Sequence, residues 1–357
     1  MFGFEKIKGY AFQDEKTKRL VERLPKKSIA VLAHEDIDMT AADMLISCGV
    51  KAIINEKTSM TGMFFHQGVE TLLKANIPVF DVDSNLLTTL EGQLLLIDEN
   101  YLYTNNDGIW IKITSLKKYT FLDIEQLKQK AITKFSEQFK AFAGNSLSYG
   151  EKELDIFVEE LQHLPILRQF KDKEVLIVAR GANYEKDLRT LKPIIKKRKL
   201  VTIAVDGGAD GLIRIGIKPD YIVGDMDSVS EKSLRSGAQL LVHSYRDGRS
   251  PGEARIRSLQ LPFSRLRFLG TSEDVAILFA DCSGAGKLYT VGTRIGMNEF
   301  LEKGRIGMGS SLLTRMKVGH ALIDLKGIHL LYSDENETQS KRLVLIPAFV
   351  MLALLFF

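Results

Sequence analysis

Short apolar runs alternate with amphipathic stretches along much of the chain, which is typical of strands joined by helices. The runs at 28–34 and 51–55 predict buried strands. Between them, the pattern predicts a helix that Thr40 caps and Gly49 ends. From Gly92 onward the apolar runs become shorter and are separated by turn residues. This part of the chain is therefore predicted to be a small α/β unit with a β-rich end.

A second alternation begins near residue 173. The runs at 174–180 and 239–245, together with TIAVD and YIVGD between them, predict strands, and the stretches between the strands predict helices. Strands that alternate with helices imply a mainly parallel sheet covered on both faces. In such sheets, ligands bind at the carboxyl ends of the strands.

Between the two alternations, residues 122–163 carry apolar residues at three- and four-residue steps and predict two successive helices, the second closed by Pro165. A helical connector explains them, and a dimerisation helix pair is the alternative. The predicted fold class is α/β: two α/β domains joined by a helical connector, the second with a mainly parallel sheet, plus a C-terminal hydrophobic membrane segment. The predicted domain bounds are 1–115, 116–172, 173–333 and 334–357.

Composition narrows the class of protein. The chain has 357 residues and a net charge of +4, too small a charge for a nucleic-acid footprint, so no nucleic-acid partner is expected. Cys48 and Cys282 lie far apart and lack the spacing of metal ligands, which favours free thiols in a reducing compartment. Residues 1–27 are charged throughout and do not resemble a secretory signal.

The C-terminal run 343–357, LVLIPAFVMLALLFF, carries no charge. As a helix it would reach ~22 Å, short of the ~30 Å hydrocarbon core of a bilayer. It is expected to be a marginal or partial membrane segment, and a buried C-terminal helix is the alternative. Lys341 and Arg342 precede it and favour a cytoplasmic location for the domains before them.

The sequence DGGAD places Asp206, Gly207 and Gly208 between a predicted strand and a predicted helix. Paired glycines let the backbone come close to a ligand, and the first amides of a helix favour an anion. Arg180 and Gly181 follow the preceding predicted strand and are expected to meet phosphate at the same edge. A tight strand-to-helix turn is the purely structural alternative.

The sequence GDMDS places Asp225 and Asp227 two residues apart. In an extended segment both carboxylates face one way and can share a divalent ion. Asp206, Asp225 and Asp227 are therefore predicted metal ligands, with an Asx-rich turn as the alternative. Ser228 either joins the site or caps the next turn. Asp220 follows Pro219 and is more typical of a turn.

Three further segments carry possible site residues. In TSED, Thr271 is a candidate helix cap, and Asp274 is either part of the helix start or a further carboxylate of the site. The loop HSYRDGRSPGEAR holds arginines suited to phosphate, or is a plain surface loop. The block GRIGMGSSLLTR either cradles an anion or starts a helix with small residues for close packing.

The stretch VDGGADGLIRIGIKPDYIVGDMDSVS resembles the nucleotide-binding half of thiamin pyrophosphokinases, and TSEDVAILFAD resembles their Thr-Asp before a helix. This resemblance covers roughly residues 174–285. It implies ATP and Mg2+ bound near Asp206, Asp225, Asp227 and Asp274. The β-sandwich that helps those kinases form the thiamin pocket has no recognisable counterpart in the sequence. A phosphate site without an acceptor pocket favours binding over catalysis.

A longer resemblance is to the SteA family of bacterial cytokinetic-ring proteins. It rests on blocks that keep one order along the chain, among them NEKTSMTG, ARGANYEKDLRTL, VHSYRDGRSPG, VGTRIGMNEFLEKGRIGMGSSLLTR and DLKGIHLLY. It implies a role in cell division, a C-terminal membrane segment, and a membrane partner protein of the division machinery. We also expect a homo-oligomer on the cytoplasmic side of the cell membrane.

Three functions follow from these patterns. The first is a membrane-tethered division protein whose kinase-like domain binds a nucleotide or similar phosphate ligand with Mg2+. The second is an active pyrophosphokinase that transfers from ATP to a hydroxyl acceptor. The third is a pure scaffold with a vestigial site. The sequence leaves open whether the protein is an enzyme, and no catalytic residue is assigned.

Overall fold

The computed structural model describes residues 6–82, 90–245 and 247–332. The chain divides into two compact units, and it passes from one to the other more than once. The first unit comprises Met1–Ser148 and Ile295–Met308, and the second comprises Tyr149–Arg294 and Gly309–Phe357. A short segment late in the sequence therefore belongs to the first unit.

Strands and helices are numbered along the chain. The strands are β1 (Ile7–Asp14), β2 (Ile29–Leu32), β3 (Ala52–Asn55), β4 (Val79–Asp81), β5 (Leu94–Asp98), β6 (Tyr101–Asn106), β7 (Ile109–Ser115), β8 (Lys117–Lys118), β9 (Glu174–Val178), β10 (Val201–Val205), β11 (Tyr221–Gly224), β12 (Gln239–Ser244), β13 (Ser264–Arg267), β14 (Lys287–Val291) and β15 (Leu322–Asp324). The helices are α1 (Thr17–Arg23), α2 (Met39–Cys48), α3 (Gly68–Lys74), α4 (Phe121–Leu161), α5 (Tyr184–Arg198), α6 (Gly208–Arg214), α7 (Glu231–Leu234), α8 (Glu253–Ser258), α9 (Ser272–Cys282), α10 (Met297–Leu301) and α11 (Gly309–Val318).

The sheet of the first unit is mixed. Its order is β7-β6-β5-β1-β2-β3-β4-β8, and β1 to β4 run parallel while the remaining pairs are antiparallel. Every residue of β2 and β3 is buried, as expected for parallel strands covered on both faces. The small α/β unit with a β-rich end is confirmed, and β1 is an additional strand that the sequence analysis does not predict.

The cap of α2 differs from the prediction. Asp38, not Thr40, is the N-cap: its Oδ1 accepts a hydrogen bond from the Ala41 N–H at 2.8 Å. Thr40 lies inside the first turn. The C-terminal prediction is correct, because Gly49 closes the helix in the left-handed conformation at φ 67°.

The predicted helix pair is one helix. α4 runs unbroken for 41 residues, and Gly144 and Gly150, where a break would be easiest, both lie inside it. Thr120 and Asp123 exchange backbone-to-side-chain hydrogen bonds at its start, which satisfies two otherwise unpaired amides.

All strands of the second unit's sheet run parallel, in the order β13-β12-β11-β10-β9-β14-β15. Alternate residues of β10 enter different cores: Ile203 packs in the cluster that contains Phe279, and Ala204 packs in the cluster that contains Leu188. The mixed α/β fold and the mainly parallel sheet with both faces covered are thus confirmed.

After β15 the chain is fastened to α5. Asp187 is fully buried and accepts hydrogen bonds from the backbone N–H of Gly327 at 3.0 Å and of His329 at 3.1 Å. Its carboxylate also contacts Nδ1 of His329 at 2.5 Å. The predicted membrane segment at 343–357 lies outside the described residues. Within the described residues, no helix is both long and apolar enough to span a bilayer.

Gly208 is required by close packing. A Cβ at this position would lie 2.1 Å from the carbonyl oxygen of Val178, whereas a Cβ at Gly144 would meet nothing within 4 Å. We expect Gly208→Ala to lower the free energy of unfolding by about 1–3 kcal/mol through overpacking. The matched change Gly144→Ala, also in a helix, should raise it by about 0.5–1 kcal/mol. Urea unfolding of both variants measures the contrast, and equal effects would refute the packing argument.

Candidate functional site

Because the strands of the second unit are parallel, their carboxyl ends all lie along one edge of the sheet, called here the exit edge. β9, β10 and β11 are neighbours; β10 and β11 end directly before Asp206 and Asp225, and β9 ends two residues before Arg180. The residues that the sequence analysis placed after successive strands therefore share this edge.

Arg180 and the paired glycines lie against each other. A Cβ at Gly207 would be 2.9 Å from Cζ of Arg180, so the guanidinium covers this glycine. The next residue, Gly208, begins α6. A cationic side chain thus lies over a glycine turn that leads into a helix N-terminus. This arrangement suits an anion such as phosphate.

Asp206 connects the ends of two strands. Its Oδ1 accepts a hydrogen bond from the Met226 N–H at 3.1 Å, across from β10 to the loop after β11. Its carboxylate also lies against Gly224, where a Cβ would be 1.9 Å from Oδ1. Gly224 has φ 146°, so both its conformation and its missing side chain are required here. Asp206 therefore fixes the position of the GDMDS loop.

The GDMDS loop is a tight Asx turn. Oδ1 of Asp225 accepts a hydrogen bond from the Asp227 N–H at 3.1 Å, and the Asp227 side chain is exposed. Arg255 donates from its guanidinium to the carbonyl oxygens of Met226 and Val229, the latter at 2.8 Å. Arg255, which the sequence analysis offered as a possible phosphate cation, thus supports the loop from its backbone side.

Non-glycine residues with positive φ follow three neighbouring strands. They are Asn183 at 56°, Asp206 at 46° and Met226 at 59°. The left-handed region costs of order 1 kcal/mol or more for a long side chain such as Met226, and less for Asn and Asp. The buried Met226 side chain and the Asp206 hydrogen bond hold this loop in its strained form.

The donor atoms at this edge have the right chemistry for Mg2+, since Asp206, Asp225 and Asp227 offer carboxylate oxygens. In the described part of the chain, no group of three or more His, Cys, Asp or Glu side chains is arranged to hold a metal ion. The shared ion therefore stays a prediction. Ser228 lies in the same turn, and Ser230 rather than Ser228 caps the following helix α7.

Thr271 and Asp274 form a capping box at the start of α9, as expected for Thr271. Asp274 is buried, and its Oδ2 accepts hydrogen bonds from the hydroxyls of Thr271 at 2.9 Å, Ser310 at 3.2 Å and Ser311 at 2.8 Å. Asp274 thus joins α9 to α11. The GMGSS block supplies buried serines for this contact, which supports its close-packing interpretation.

The end of β14 contributes residues that sequence reasoning missed. Arg294 is ion-paired with the buried Glu273, and its backbone carbonyl accepts a hydrogen bond from Arg315 at 3.2 Å. Next to it, Thr293 is 1% exposed, and its hydroxyl has no hydrogen-bond partner among the described residues. β14 is the neighbour of β9, so these residues belong to the same exit edge as Arg180. The sequence signal that could have indicated these residues is the tetrapeptide VGTR, in which a glycine, a hydroxyl and a cation follow the buried strand.

Unit 1 contains a separate buried polar cluster, also beyond the ends of parallel strands. Asp36 pairs with Nε2 of His66 at 3.1 Å and accepts a hydrogen bond from the Thr61 N–H at 2.7 Å. Asp38 pairs with Lys303. Burial raises the pKa of Asp36, but its hydrogen bonds to His66 and Thr61 outweigh it and hold the pKa below the usual value. The sequence analysis did not predict this cluster.

Glu302 lies beside Lys303 in the same unit. Burial is the main cause that raises its pKa, and the negative charge of Asp38 adds to it, so that the pKa reaches about 7. Lys303 and His66 act in the opposite direction, and Glu299 has a smaller raising effect. Asp38 and Glu302 are thus neighbouring carboxyl groups, and their environments lower the pKa of Asp38 and raise the pKa of Glu302.

Comparison with known proteins bears on the second unit. Residues 192–247 match the family model of the thiamin pyrophosphokinase catalytic domain. The second unit contains a thiamin pyrophosphokinase-like domain. The match runs from the second half of α5 to just past β12 and includes Asp206, Asp225 and Asp227, whereas Arg180 and Asp274 lie outside it.

Other comparisons add little. No curated protein matches the sequence at a significant level. A solved structure of a 3-isopropylmalate dehydratase from Methanocaldococcus jannaschii is similar at 13% identity with a TM-score of 0.25, over 38% of this chain and 96% of that chain. A likeness this weak says nothing about fold or function.

Glu302→Gln removes a carboxyl group that binds its proton more tightly in the folded protein. With a pKa raised from 4.5 to about 7, this group makes the folded state less stable as pH rises through that window. The variant should gain stability relative to wild type by up to about 3 kcal/mol near pH 8, since each pKa unit corresponds to about 1.4 kcal/mol. Urea unfolding across pH measures this gain.

The matched control is Glu35→Gln, which removes the same group from an exposed position in unit 1. Because this side chain is exposed, the change should not reproduce the gain in stability that Glu302→Gln shows near pH 8. If Glu302→Gln gave a difference that stayed flat between about pH 4 and 8, the raised pKa of Glu302 would be wrong.

Proposed function

We propose that this chain is a membrane-tethered, cytoplasmic cell-division protein of the SteA type whose thiamin pyrophosphokinase-like domain binds a nucleotide together with Mg2+. The observation that carries the ligand-binding part is the exit edge of the second sheet. There, Arg180 covers Gly207 and Asp206 fixes the GDMDS loop beside them. These are the elements that a phosphate chain and its cation need.

In this proposal each residue has a distinct role. The Arg180 guanidinium and the amides around Gly207 and Gly208 contact phosphate oxygens. Asp225 and Asp227 offer the carboxylates for the ion, and Asp206 adds an oxygen while it holds the loop. Bound Mg2+ supplies neutralisation of the phosphate charge. Thr271 and Asp274 act indirectly, since their hydrogen bonds fix the loop after β13.

Binding without turnover is favoured over an active pyrophosphokinase. In a pyrophosphokinase the acceptor hydroxyl attacks the β-phosphorus of ATP, the bond to the α-phosphate oxygen breaks, AMP leaves, and the hydroxyl proton passes to solvent. Such an enzyme needs a pocket for the acceptor. From α9 to Tyr332, the described residues form β14, α10, α11 and β15 and contain no β-sandwich. The family-model match keeps the enzymatic alternative open to test.

The tether and the location rest on the sequence. The apolar run 343–357 follows Lys341 and Arg342, which favours a cytoplasmic location for both units. The blocks shared with the SteA family support a role in cell division, a membrane partner protein and a homo-oligomer. The membrane and its partner protein are thus part of the proposal together with the nucleotide and Mg2+.

Calorimetry with ATP, ADP and GTP in the presence of Mg2+ tests the site. We expect saturable binding to the full chain, and at least about tenfold weaker binding for Asp225→Asn, which corresponds to about 1.4 kcal/mol. The asparagine keeps an oxygen for the Asp227 N–H but removes the charge, so the loop should persist. Omission of Mg2+ should weaken wild type more than the variant.

The control is Asp172→Asn, which removes one exposed carboxylate from the opposite edge of the same sheet. It should bind like wild type. Absence of nucleotide binding to folded wild-type protein, or an equal loss in both variants, would defeat the site assignment. Steady AMP release with thiamin or another hydroxyl acceptor would replace the binding proposal with the pyrophosphokinase.

A further inference from the structure

The edge of the second sheet opposite the exit edge, where the strands begin, is lined by lysines. Val201 pairs with Val175, and Ile203 pairs with Tyr221, so the residues that lead into β10, β9 and β11 lie side by side. Each of these three segments before a strand carries an exposed lysine, and the first residue of β14 is a fourth exposed lysine. In sheet order these four lysines, called here the lysine edge, are Lys218, Lys199, Lys173 and Lys287.

The last turn of α5 adds to this charge. Lys196 and Lys197 are exposed there, and Lys199 of the lysine edge is the C-cap residue of the same helix. Cations at a helix C-terminus interact favourably with the helix dipole, so this end of α5 suits a cluster of lysines.

Neighbouring acidic groups do not neutralise the lysine edge. Glu174 accepts hydrogen bonds from Arg198 at 2.8 Å and from the Tyr289 hydroxyl at 3.1 Å. Asp220 accepts from the N–H of Thr202 at 2.7 Å. Among the residues that the structure describes, no carboxylate forms an ion pair with a lysine of the edge. The exposed Asp172 and Asp220 keep their negative charges and offset part of the positive charge of the four lysines.

The two edges thus differ in charge. The exit edge combines Asp206, Asp225 and Asp227 with arginines such as Arg180, whereas the cations of the opposite edge are mainly lysines. A nucleotide at the exit edge would leave the lysine edge uncovered. The lysine edge is therefore accessible to a partner other than the nucleotide.

We propose that the lysine edge docks on the surface of an anionic lipid bilayer. A lysine ammonium is a point charge and lacks the planar arginine geometry that binds one phosphate group through two hydrogen bonds. A row of lysines therefore suits the diffuse negative charge of a layer of lipid headgroups. Each basic residue close to such a surface strengthens binding about fivefold. The inference extends the proposed function, because it rests on the tether that would bring the second unit to the membrane.

The chain beyond the described residues is long enough for this contact. Residues 333–342 connect Tyr332 to the apolar run and can span up to ~36 Å when extended. α5, which runs from the exit edge to the lysine edge, has 15 residues and so is ~22 Å long. The apolar run can therefore reach a bilayer that the lysine edge contacts.

The test uses the full chain, diluted from detergent into vesicles of phosphatidylcholine alone or mixed with phosphatidylglycerol. The triple variant Lys173→Gln, Lys199→Gln, Lys218→Gln should lose about a hundredfold of the preference for anionic vesicles, at about fivefold per lysine. High salt should abolish the preference of wild type. The control triple variant changes exposed lysines of α4 and the loop before β2 to Gln: Lys26, Lys140 and Lys152. It should behave like wild type.

A second readout does not depend on affinity. Acetylation of lysines by a water-soluble reagent, followed by mass spectrometry, should show Lys173, Lys199 and Lys218 protected on anionic vesicles but not on neutral ones. Lys26 and Lys140 should react equally on both. Equal labelling of all these lysines, with no anionic preference, would overturn the proposal.

Failure of the tether would look different. Binding to neutral vesicles that is lost when residues 343–357 are deleted supports the tether alone, whatever the lysine edge does. If the full chain ignored neutral vesicles, the tether would fail, while protection on anionic vesicles would still support the lysine edge. Salt-sensitive binding to duplex DNA or RNA that the triple variant loses, without any binding to anionic vesicles, would refute the lipid assignment.

Discussion

One hydrogen bond, from the Met226 N–H to the Asp206 carboxylate, fixes the arrangement of the candidate site. Parallel strands bring their ends to one edge, but they do not fix the loops that follow them. Asp206 links the loop after β10 to the loop after β11, and Gly224 leaves room for the carboxylate. Both loops then stay in conformations that cost energy at Asp206 and Met226. The positions of the carboxylates in the GDMDS loop depend on that link.

Much of this site could be predicted because its signals are local. A buried strand, an acidic residue and paired glycines follow one another directly at Asp206, and parallel topology alone brings the end of β11 to the same edge. The capping role of Thr271 was equally local. Where two polar residues compete at one helix start, the pattern is ambiguous: Thr40 and Asp38 both suit a cap, and only the backbone conformation before α2 selects Asp38.

Contacts between residues distant in sequence could not be predicted. The acidic and basic groups of unit 1 come from residues 36–38, 66 and 302–303, which the chain brings together only because Ile295–Met308 returns to that unit. Phe142 and Phe300, with ring centroids 6.1 Å apart, secure this return. No sequence motif in residues 36–66 or in Ile295–Met308 indicates that these two segments lie together. In the same way, the sequence around Ser310 and Ser311 also suits an anion-binding turn. In the structure, both hydroxyls donate hydrogen bonds to Asp274, which comes from a distant part of the chain.

The attachment of residues 327–329 to Asp187 has a mechanical consequence. A pull on the chain beyond Tyr332 is resisted by backbone and side-chain bonds to one buried carboxylate in the first turn of α5. That turn begins at Tyr184, three residues after Gly181. Tension in the chain beyond Tyr332 would therefore be delivered close to the loop that carries the Arg180 guanidinium, so that mechanical load would act beside the residues of the proposed ligand site.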